Sequence, residues 1–388
     1  MKVYVLAGAI FSAALSAGCS SSAKPPKIDE TKIKLFAERG YDSGIDYTTS
    51  TTSLPLNIGN GIRQVTIVQP ELDGKYPVVI YLPGLGESDS AAQQMRNVWA
   101  KSGYVVLSVQ PLQDDVSIWS SKAARSGDFL YLRRERYASE VVSARISIIL
   151  KLLEYLKHAS VSGDTNLQRM DLSRLAIAGF DIGASAAMII AGEDIPNISN
   201  EGLSRQTGAV IALSPYADFS GSSFDVRYRN ISMPVLSVTS DADSNTNDSI
   251  PAALHQAPFQ YMPPGNKYLL LLSGASHSTI GNEDPLKPAA ANGDDKHPQT
   301  GHEGGSEDSD RAHGTRHGSK SGNGDNPTGY SRRAAAESPT QRALMEVAIE
   351  QVSTAFLNAY IKNDQFSKDW LTKDAQPWLH EMGQLKAK

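Results

Sequence analysis

Cysteine is almost absent from this chain of 388 residues, which contains one, Cys19. A protein with a single cysteine cannot form an internal disulfide. An excess of basic charge is missing as well, because 37 Lys and Arg residues stand against 42 Asp and Glu residues, for a formal net charge of -5. The chain therefore has no basic face for nucleic acid. Its hydrophobic content of 40% is enough for a large core, and we expect one α/β domain with appendages.

The N-terminal segment carries Lys2 and is then apolar up to Ala17, the pattern of a secretory signal rather than of a membrane-spanning helix. Cys19 ends the stretch Leu-Ser-Ala-Gly-Cys at residues 15–19, which resembles a bacterial lipobox. That resemblance implies a signal peptide over residues 1–18 and lipidation of Cys19. An ordinary cleavable signal with a free cysteine, or an uncleaved anchor, are the alternatives.

Ser20 and Ser21 follow the cysteine. The absence of Asp next to Cys19 resembles lipoproteins of the outer membrane, which implies a lipid-anchored protein of the bacterial cell envelope that faces the periplasm. Residues 19–45 are polar and include two prolines, so we predict a tether between anchor and domain.

Apolar runs alternate with helical patterns over residues 46–280, which predicts a parallel sheet built from βαβ units. One long helix is predicted over about 131–158, where apolar residues recur at helical spacing. The predicted strands are, in chain order, residues 62–69, 76–82, 104–111, 175–180, 209–215, 234–240 and 267–274.

Large apolar residues are missing from Lys287 to Gly329, and such a segment cannot offset its ordering entropy by burial. We predict a disordered insertion over residues 281–337. His-rich tracts can bind metal, but irregular spacing and the absence of cysteine favour a solvated linker, and the sequence predicts neither a metal nor a cofactor. Residues 338–388 begin with a capping box and predict a helix and tail packed on the core. The histidines of the insertion are His297, His302, His313 and His317.

The most informative stretch joins the apolar run that ends at Phe180 to a helix of small residues. Between them lies Gly-Phe-Asp-Ile-Gly, residues 179–183. In the G-x-S-x-G elbow of α/β-hydrolases, a sharp turn between strand and helix presents the central side chain on top of the sheet. Here Asp181 occupies that central position.

Four features in this order resemble the α/β-hydrolase superfamily and, within it, the cap-less dienelactone hydrolase and platelet-activating-factor acetylhydrolase-like group. The resemblance covers residues 60–280 and the closing helix, and it implies an α/β-hydrolase fold with a mostly parallel sheet, helices on both faces and no helical cap. The four features are Leu-Pro-Gly-Leu-Gly at residues 82–86, the elbow at 179–183, Ser-Asp-Ala-Asp at 240–243 and Gly-Ala-Ser-His at 274–277.

The resemblance implies a catalytic set in which Asp181 takes the place of the nucleophile and His277 that of the base. Asp243 is the orienting acid that the family pattern favours, and Asp241 is the alternative. The backbone N–H groups of Leu85 and Ile182 take the places of the oxyanion donors. The four motifs thus supply the nucleophile, the base, the acid and two oxyanion donors.

A carboxylate at the elbow changes the chemistry, because it is already ionised at neutral pH and needs no base to activate it. Its attack on an ester carbonyl would give a high-energy anhydride, whereas attack on a saturated carbon gives a stable ester. Aspartate elbows in this superfamily belong to haloalkane dehalogenases and epoxide hydrolases, which place Trp after the aspartate and enclose the substrate under a cap. This chain has Ile182 there, and only about 18 residues lie where the cap would be inserted.

Three functions follow from these residues. The first is hydrolysis of a small, ester-like substrate in the cell envelope by Asp181, His277 and Asp243. The second is a pseudo-hydrolase that binds a ligand or partner without turnover, and the third is dehalogenase-like or epoxide-opening chemistry. Ser185 is a minor alternative nucleophile, expected to pack among alanines.

Overall fold

The computed structural model describes residues 27–59, 61–162, 167–199, 201–217, 222–244, 250–283 and 337–388. The predicted signal peptide, Cys19 and nearly all of the predicted insertion at 281–337 lie outside these residues. No helix in the described ranges is long and apolar enough to cross a membrane.

The described residues form one sheet of nine strands, and most neighbouring pairs are parallel. The strands are β1 Thr49–Ile58, β2 Gly61–Pro70, β3 Tyr76–Leu82, β4 Val105–Val109, β5 Met170–Phe180, β6 Ala209–Leu213, β7 Val235–Ser240, β8 Lys267–Leu272 and β9 Gly383–Ala387.

Strand order in the sheet is β1-β2-β4-β3-β5-β6-β7-β8-β9. The six strands from β3 to β8 run parallel, while β1, β2 and β9 pair antiparallel at the two edges. Every residue of β3, β4, β6 and β7 is buried, because helices cover both faces of the parallel part. The α/β prediction is confirmed at this level.

Helices of very different length connect these strands. They are α1 Glu30–Glu38, α2 Gln93–Lys101, α3 Gln113–Val116, α4 Lys122–Arg125, α5 Phe129–Arg136, α6 Ser139–Ser162, α7 Ile182–Ala191, α8 Glu201–Ser204, α9 Phe224–Tyr228, α10 Ala252–Tyr261, α11 His277–Ile280, α12 Pro339–Ile361, α13 Gln365–Lys373 and α14 Ala375–Leu379, with short 3-10 helices at Ile118–Ser120 and His380–Met382.

The apolar core lies in two layers, one on each face of the sheet. Side chains of α6, α7 and α10 pack on one face, and those of α2, α12, α13 and α14 pack on the other. The closing helix α12 begins as its capping signal predicts, since the Ser338 hydroxyl accepts a hydrogen bond from the Gln341 N–H at 3.2 Å.

Each of the seven predicted strands is found, and two further strands were not predicted. Both additional strands lie at sheet edges. β1 is rich in Thr and Ser, and β9 is short and largely exposed, so neither carries the apolar run of a central strand. Their backbone pairing with β2 and β8 forms them, and this pairing is a tertiary event.

Two other expectations differ from the structure. Within the predicted tether, α1 packs against α12, and the Phe36 ring stacks on Trp378 at 4.4 Å between centroids. The helix predicted over about 131–158 is divided into α5 and α6, because the chain leaves helical geometry around Tyr137. The apolar residues that predicted this helix lie from Val141 onward, within α6, so their periodicity did not reveal the break.

Candidate active site

Side chains that the sequence spreads over 100 residues meet at the carboxyl edge of the parallel strands. Asp181 follows β5, Ser214 follows β6, Asp243 lies just beyond β7 and His277 opens α11 after β8. Parallel neighbouring strands end at the same edge of a sheet, which is why the loops after them can share one site.

Asp181 occupies a strained turn between β5 and α7. Its φ of 51° and ψ of -114° lie in a region that residues other than glycine rarely adopt. A Cβ atom at Gly179 would lie 2.3 Å from the Gly183 carbonyl oxygen, and one at Gly183 would lie 2.0 Å from the Leu82 carbonyl oxygen. Both flanking glycines are therefore required by close backbone approach, and the turn holds a half-buried carboxylate above the sheet edge.

Each oxygen of the Asp181 carboxylate has a donor. The backbone N–H of Leu85 donates to Oδ2 at 3.2 Å, and the hydroxyl of Tyr137 donates to Oδ1 at 3.2 Å. The Leu85 N–H that was predicted as an oxyanion donor is thus bonded to the aspartate itself. Ile182, the other predicted donor, opens α7, where N–H groups of the first turn have no partner inside the helix.

The loop that carries Leu85 is fixed from two sides. The Gln110 side chain donates to the Gly84 carbonyl at 2.9 Å, and the Gly86 N–H donates to the Asp115 carbonyl at 3.0 Å. These bonds hold the Leu85 N–H aimed at Asp181. A donor arranged before the reaction stabilises developing charge without a reorganisation cost.

The acid and the histidine form the second half of the site. Nδ1 of His277 lies 2.9 Å from Oδ1 of Asp243, which is fully buried. The same carboxylate accepts hydrogen bonds from the hydroxyls of Thr239 at 2.6 Å and Ser214 at 3.0 Å. Burial alone would raise the pKa of Asp243, but the hydrogen bond from His277 and the charges of the neighbouring imidazoles outweigh it, and the pKa is lowered.

Asp241, the alternative acid, does not reach the histidine. Its carboxylate accepts a hydrogen bond from the Gly274 N–H at 2.6 Å at the exposed rim of the site. It ties the loop after β7 to the loop after β8 instead. The structure therefore brings Asp243, and not Asp241, to His277.

His277 is surrounded by negative charge. Burial lowers its pKa, but the hydrogen bond to Asp243 and the charges of Asp181, Asp243 and Glu283 act more strongly together and raise the pKa from 6.5 to about 9. At neutral pH the resting side chain is an imidazolium. Its Nδ1 is committed to Asp243, so Nε2 on the opposite side of the ring is the atom available to a reactant.

Two glutamates near the site were not predicted. Glu87 follows the glycine-rich loop and accepts a hydrogen bond from the Gly84 N–H at 2.6 Å, and Glu283 follows α11. Burial, followed by the charge of Glu283, raises the pKa of Glu87 to about 8, and burial also raises the pKa of Glu283. A cavity of about 1070 Å³ opens beside them. Glu87 and Glu283, two carboxyl groups whose pKa values burial raises, therefore line this cavity.

Tyr137, Ser214 and His255 are further site residues that the sequence did not indicate. None belongs to a motif, since each reaches the site only through the fold. Ser185, the minor alternative nucleophile, directs its hydroxyl to the Asp181 carbonyl oxygen at 3.5 Å, back along its own helix. No group of three His, Cys, Asp or Glu residues arranged to hold a metal ion occurs within the described ranges, and the His-rich insertion lies outside them.

Comparison with known proteins adds no family. The chain matches no protein-family model, and no curated protein is significantly similar to it. What the fold and the site define is thus an α/β protein with an aspartate elbow, a histidine and a buried acid at the carboxyl edge of its sheet.

Proposed function

We propose that this protein is a hydrolase of the α/β-hydrolase class, without a helical cap, that cleaves a small ester-like substrate through a covalent ester on Asp181. The strand order, the parallel run from β3 to β8 and the order elbow, acid, histidine along the chain support the class. The segment between β6 and β7 contains one described helix, α9, of five residues, which supports a site without a cap at that position.

The observation that carries the proposal is the hydrogen bond from the Leu85 N–H to Oδ2 of Asp181. In an acyl-transfer enzyme such a donor must be free for the substrate oxyanion. Here it binds the carboxylate itself, which suits a reaction in which Asp181 is alkylated. The Leu85 N–H then stays bonded to Oδ2 throughout the reaction. Oδ2 is first a carboxylate oxygen, then the carbonyl oxygen of the ester and finally the oxyanion of the tetrahedral intermediate.

The first step is attack by Oδ1 of Asp181 on a saturated carbon that bears an oxygen leaving group. The new C–O bond forms as the old one breaks, and the leaving oxygen departs with the electron pair. The Tyr137 hydroxyl lies 3.2 Å from Oδ1 and is the donor that we assign to that leaving oxygen.

The second step returns the enzyme to its resting state. Esterification removes the charge of Asp181, so the pKa of His277 falls from about 9 and the imidazolium gives its proton to the departed leaving oxygen. Nε2 then takes a proton from water, and the hydroxide adds to the ester carbonyl carbon. Collapse of the oxyanion breaks the bond between the carbonyl carbon and Oδ1, which leaves on the substrate carbon as an alkoxide. The alkoxide takes the proton of the new carboxyl group, so Asp181 is again a carboxylate and His277 is again an imidazolium. The net reaction consumes one water and gives an alcohol and the protonated leaving group.

Single turnover in ¹⁸O-water tests this chemistry. A panel of alkyl esters, epoxides and haloalkanes first identifies a substrate, and excess enzyme then turns over once. We expect the heavy oxygen in the peptide that contains Asp181, and none in the alcohol, because the alcohol oxygen comes from the aspartate. Label in the product and none in the peptide would overturn the covalent step. The Asp241→Asn variant serves as a control that should label like the wild type.

A binding protein without turnover is the second candidate, and the protonated His277 between two aspartates favours it. Such an ion pair is a stable arrangement that needs no reaction. Loss of all turnover on the panel, together with ligand binding that is unchanged in Asp181→Asn, would favour this function over the first.

We further propose that the protein is anchored to the bacterial cell envelope through a lipid on Cys19, at the outer membrane and facing the periplasm. The lipobox-like stretch at residues 15–19 supports this location. Cys19→Ala should release the protein from the membrane fraction and change the mass of its N-terminal peptide. Unchanged fractionation and an unmodified cysteine in the wild type would contradict the anchor.

A further inference from the structure

Beneath the catalytic pair lies a second group of side chains that the proposed reaction does not use. It consists of Ser214, at the end of β6, and His255 on α10. Ser214 is fully buried, and His255 is 1% exposed. Neither contacts a substrate position, yet both lie against the acid.

The Ser214 hydroxyl lies at the centre of three polar atoms. It is 3.0 Å from Oδ1 of Asp243, 3.1 Å from Nδ1 of His277 and 3.2 Å from Nδ1 of His255. A carboxylate oxygen only accepts, so the hydroxyl hydrogen points to Asp243. Its oxygen then accepts from the imidazole N–H groups. One serine thus supports the acid and the Nδ1–H tautomer of the histidine together.

The backbone of Ser214 is strained to make these contacts. Its φ is 52°, in the left-handed region that serine rarely adopts, while its N–H remains bonded to the Val238 carbonyl at 2.7 Å. Glycine would adopt this turn without strain. A serine in a position that suits glycine indicates a role for the hydroxyl.

His255 holds this turn from the other side. Its Nδ1 lies 3.1 Å from the Pro215 carbonyl oxygen and 3.6 Å from Oδ2 of Asp243. A carbonyl oxygen only accepts, so Nδ1 carries the hydrogen. Burial lowers the pKa of His255, which is therefore a neutral donor, and its Nε2 has no hydrogen-bond partner among the described residues.

We propose that Ser214 and His255 are positioning residues that hold Asp243 against His277 and keep the His277 proton on Nδ1. The Ser214 hydroxyl acts directly on the acid, and the His255 N–H fixes the turn that carries it. The inference rests on the proposed function for its purpose, because only a base that acts through Nε2 needs this tautomer. The contacts themselves can be tested without a substrate.

The test is the titration of His277 by proton–carbon NMR in the full-length protein, assigned through His277→Gln. Ser214→Ala and Ser214→Gly should each lower the pKa of His277 by about one unit, a tenfold change in its protonation equilibrium, because the imidazolium Nδ1–H loses the Ser214 oxygen as an acceptor and Asp243 loses the hydroxyl that holds it in place. The charged and titratable groups that face His277 are Asp181, Asp243, Glu87, Glu283 and His255, and these substitutions change none of them.

The glycine variant separates positioning from packing. Ser214→Gly relieves the strained φ, so its melting temperature should be no lower than that of Ser214→Ala, while the His277 titration still shifts. Ser237→Ala is the matched control, since Ser237 is equally buried on β7 and its hydroxyl has no partner among the described residues. An unchanged His277 titration in both Ser214 variants would overturn the role of the hydroxyl.

His255 is tested by two amides. The amide N–H₂ of an asparagine takes the position of Nδ1, so His255→Asn should preserve the pKa of His277. The amide N–H₂ of a glutamine lies near the position of Nε2, so His255→Gln should lower that pKa. Equal behaviour of the two variants would overturn the role of the Nδ1–H group. If the ¹⁸O experiment fails but the titrations shift as expected, the positioning network stands and only the covalent chemistry is lost.

Discussion

Asp181 and Asp243 are both aspartates at the carboxyl ends of parallel strands of one sheet, β5 and β7, but they differ in most physical respects. Asp243 is fully buried, accepts hydrogen bonds from three side chains and sits in a turn without left-handed backbone. Asp181 is half-buried, adopts a φ of 51° and shares its surroundings with Glu87 and Glu283. A satisfied, buried carboxylate orients its partner. A strained carboxylate among like charges suits the proposed nucleophile.

Because Asp243 is more deeply buried than Asp181, we expect Asp243→Asn to have the largest effect on stability. The amide leaves the hydroxyls of Thr239 and Ser214 and the N–H of His277 with a poorer acceptor, so we expect a loss of about 3 kcal/mol in the free energy of unfolding. Activity should be lost as well. Urea unfolding measures the first effect. Asp241→Asn is the control at the exposed rim and should stay near the wild type; equal losses in the two variants would remove the distinction between the acids.

Asp181→Asn should separate activity from stability. Removal of the nucleophile should reduce turnover by about 10⁴-fold or more, as for other covalent catalysts. The free energy of unfolding should change by less than about 1 kcal/mol, because the side chain is only half-buried and like charges surround it. NMR titration should also show a lower pKa of His277, since the Asp181 charge helps to raise it. A large loss of stability would show that Asp181 is a structural residue like Asp243.

Tyr137→Phe should have a smaller effect than either aspartate. It removes the donor to Oδ1 of Asp181 and to the leaving oxygen, and we expect turnover to fall by about 10²-fold. The fall should be greatest for substrates with poor leaving groups, which need a proton donor most. Tyr131→Phe is the matched control, because Tyr131 lies on α5 and is 55% exposed. A uniform loss across all leaving groups would argue against proton donation.

The pH dependence of stability should be the most gradual effect, because it is spread over several pH units. His277 has a folded pKa raised from 6.5 to about 9, so its stabilisation is complete below 6.5 and is lost as the pH rises to 9. Glu87 is a carboxyl with a folded pKa raised from 4.5 to about 8, so the folded state loses stability as the pH rises between these values. The free energy of unfolding should thus fall with rising pH, by at most about 1.4 kcal/mol per unit for each group.

Substitutions can identify the groups that cause the fall of the free energy of unfolding with rising pH. Glu87→Gln should reduce this fall between pH 4.5 and 8, and His277→Gln should reduce it between pH 6.5 and 9. Denaturant unfolding at a series of pH values measures both. A wild-type protein that becomes more stable across this range would contradict both assignments.

Much of the site follows from local sequence. Gly179 and Gly183 indicate the turn, because no other residue fits the close backbone approach there. The apolar strands before each polar loop place Asp181, Asp243 and His277 at one sheet edge. These signals are local in the chain, and central strands are long apolar runs. The α/β architecture and the three main side chains could be predicted for that reason.

Tertiary structure decided the rest. Tyr137 lies at a helix break that the apolar periodicity does not show, and Ser214 and His255 meet Asp243 only because β6 and α10 pack beside β7. The choice of Asp243 over Asp241 depends on which carboxylate the fold buries. The bond from Leu85 to Asp181 joins residues 96 positions apart. A sequence specifies which groups follow each strand. Hydrogen bonds between distant loops require donor–acceptor distances that are correct to within a few tenths of an ångström, and only the packed chain sets these distances.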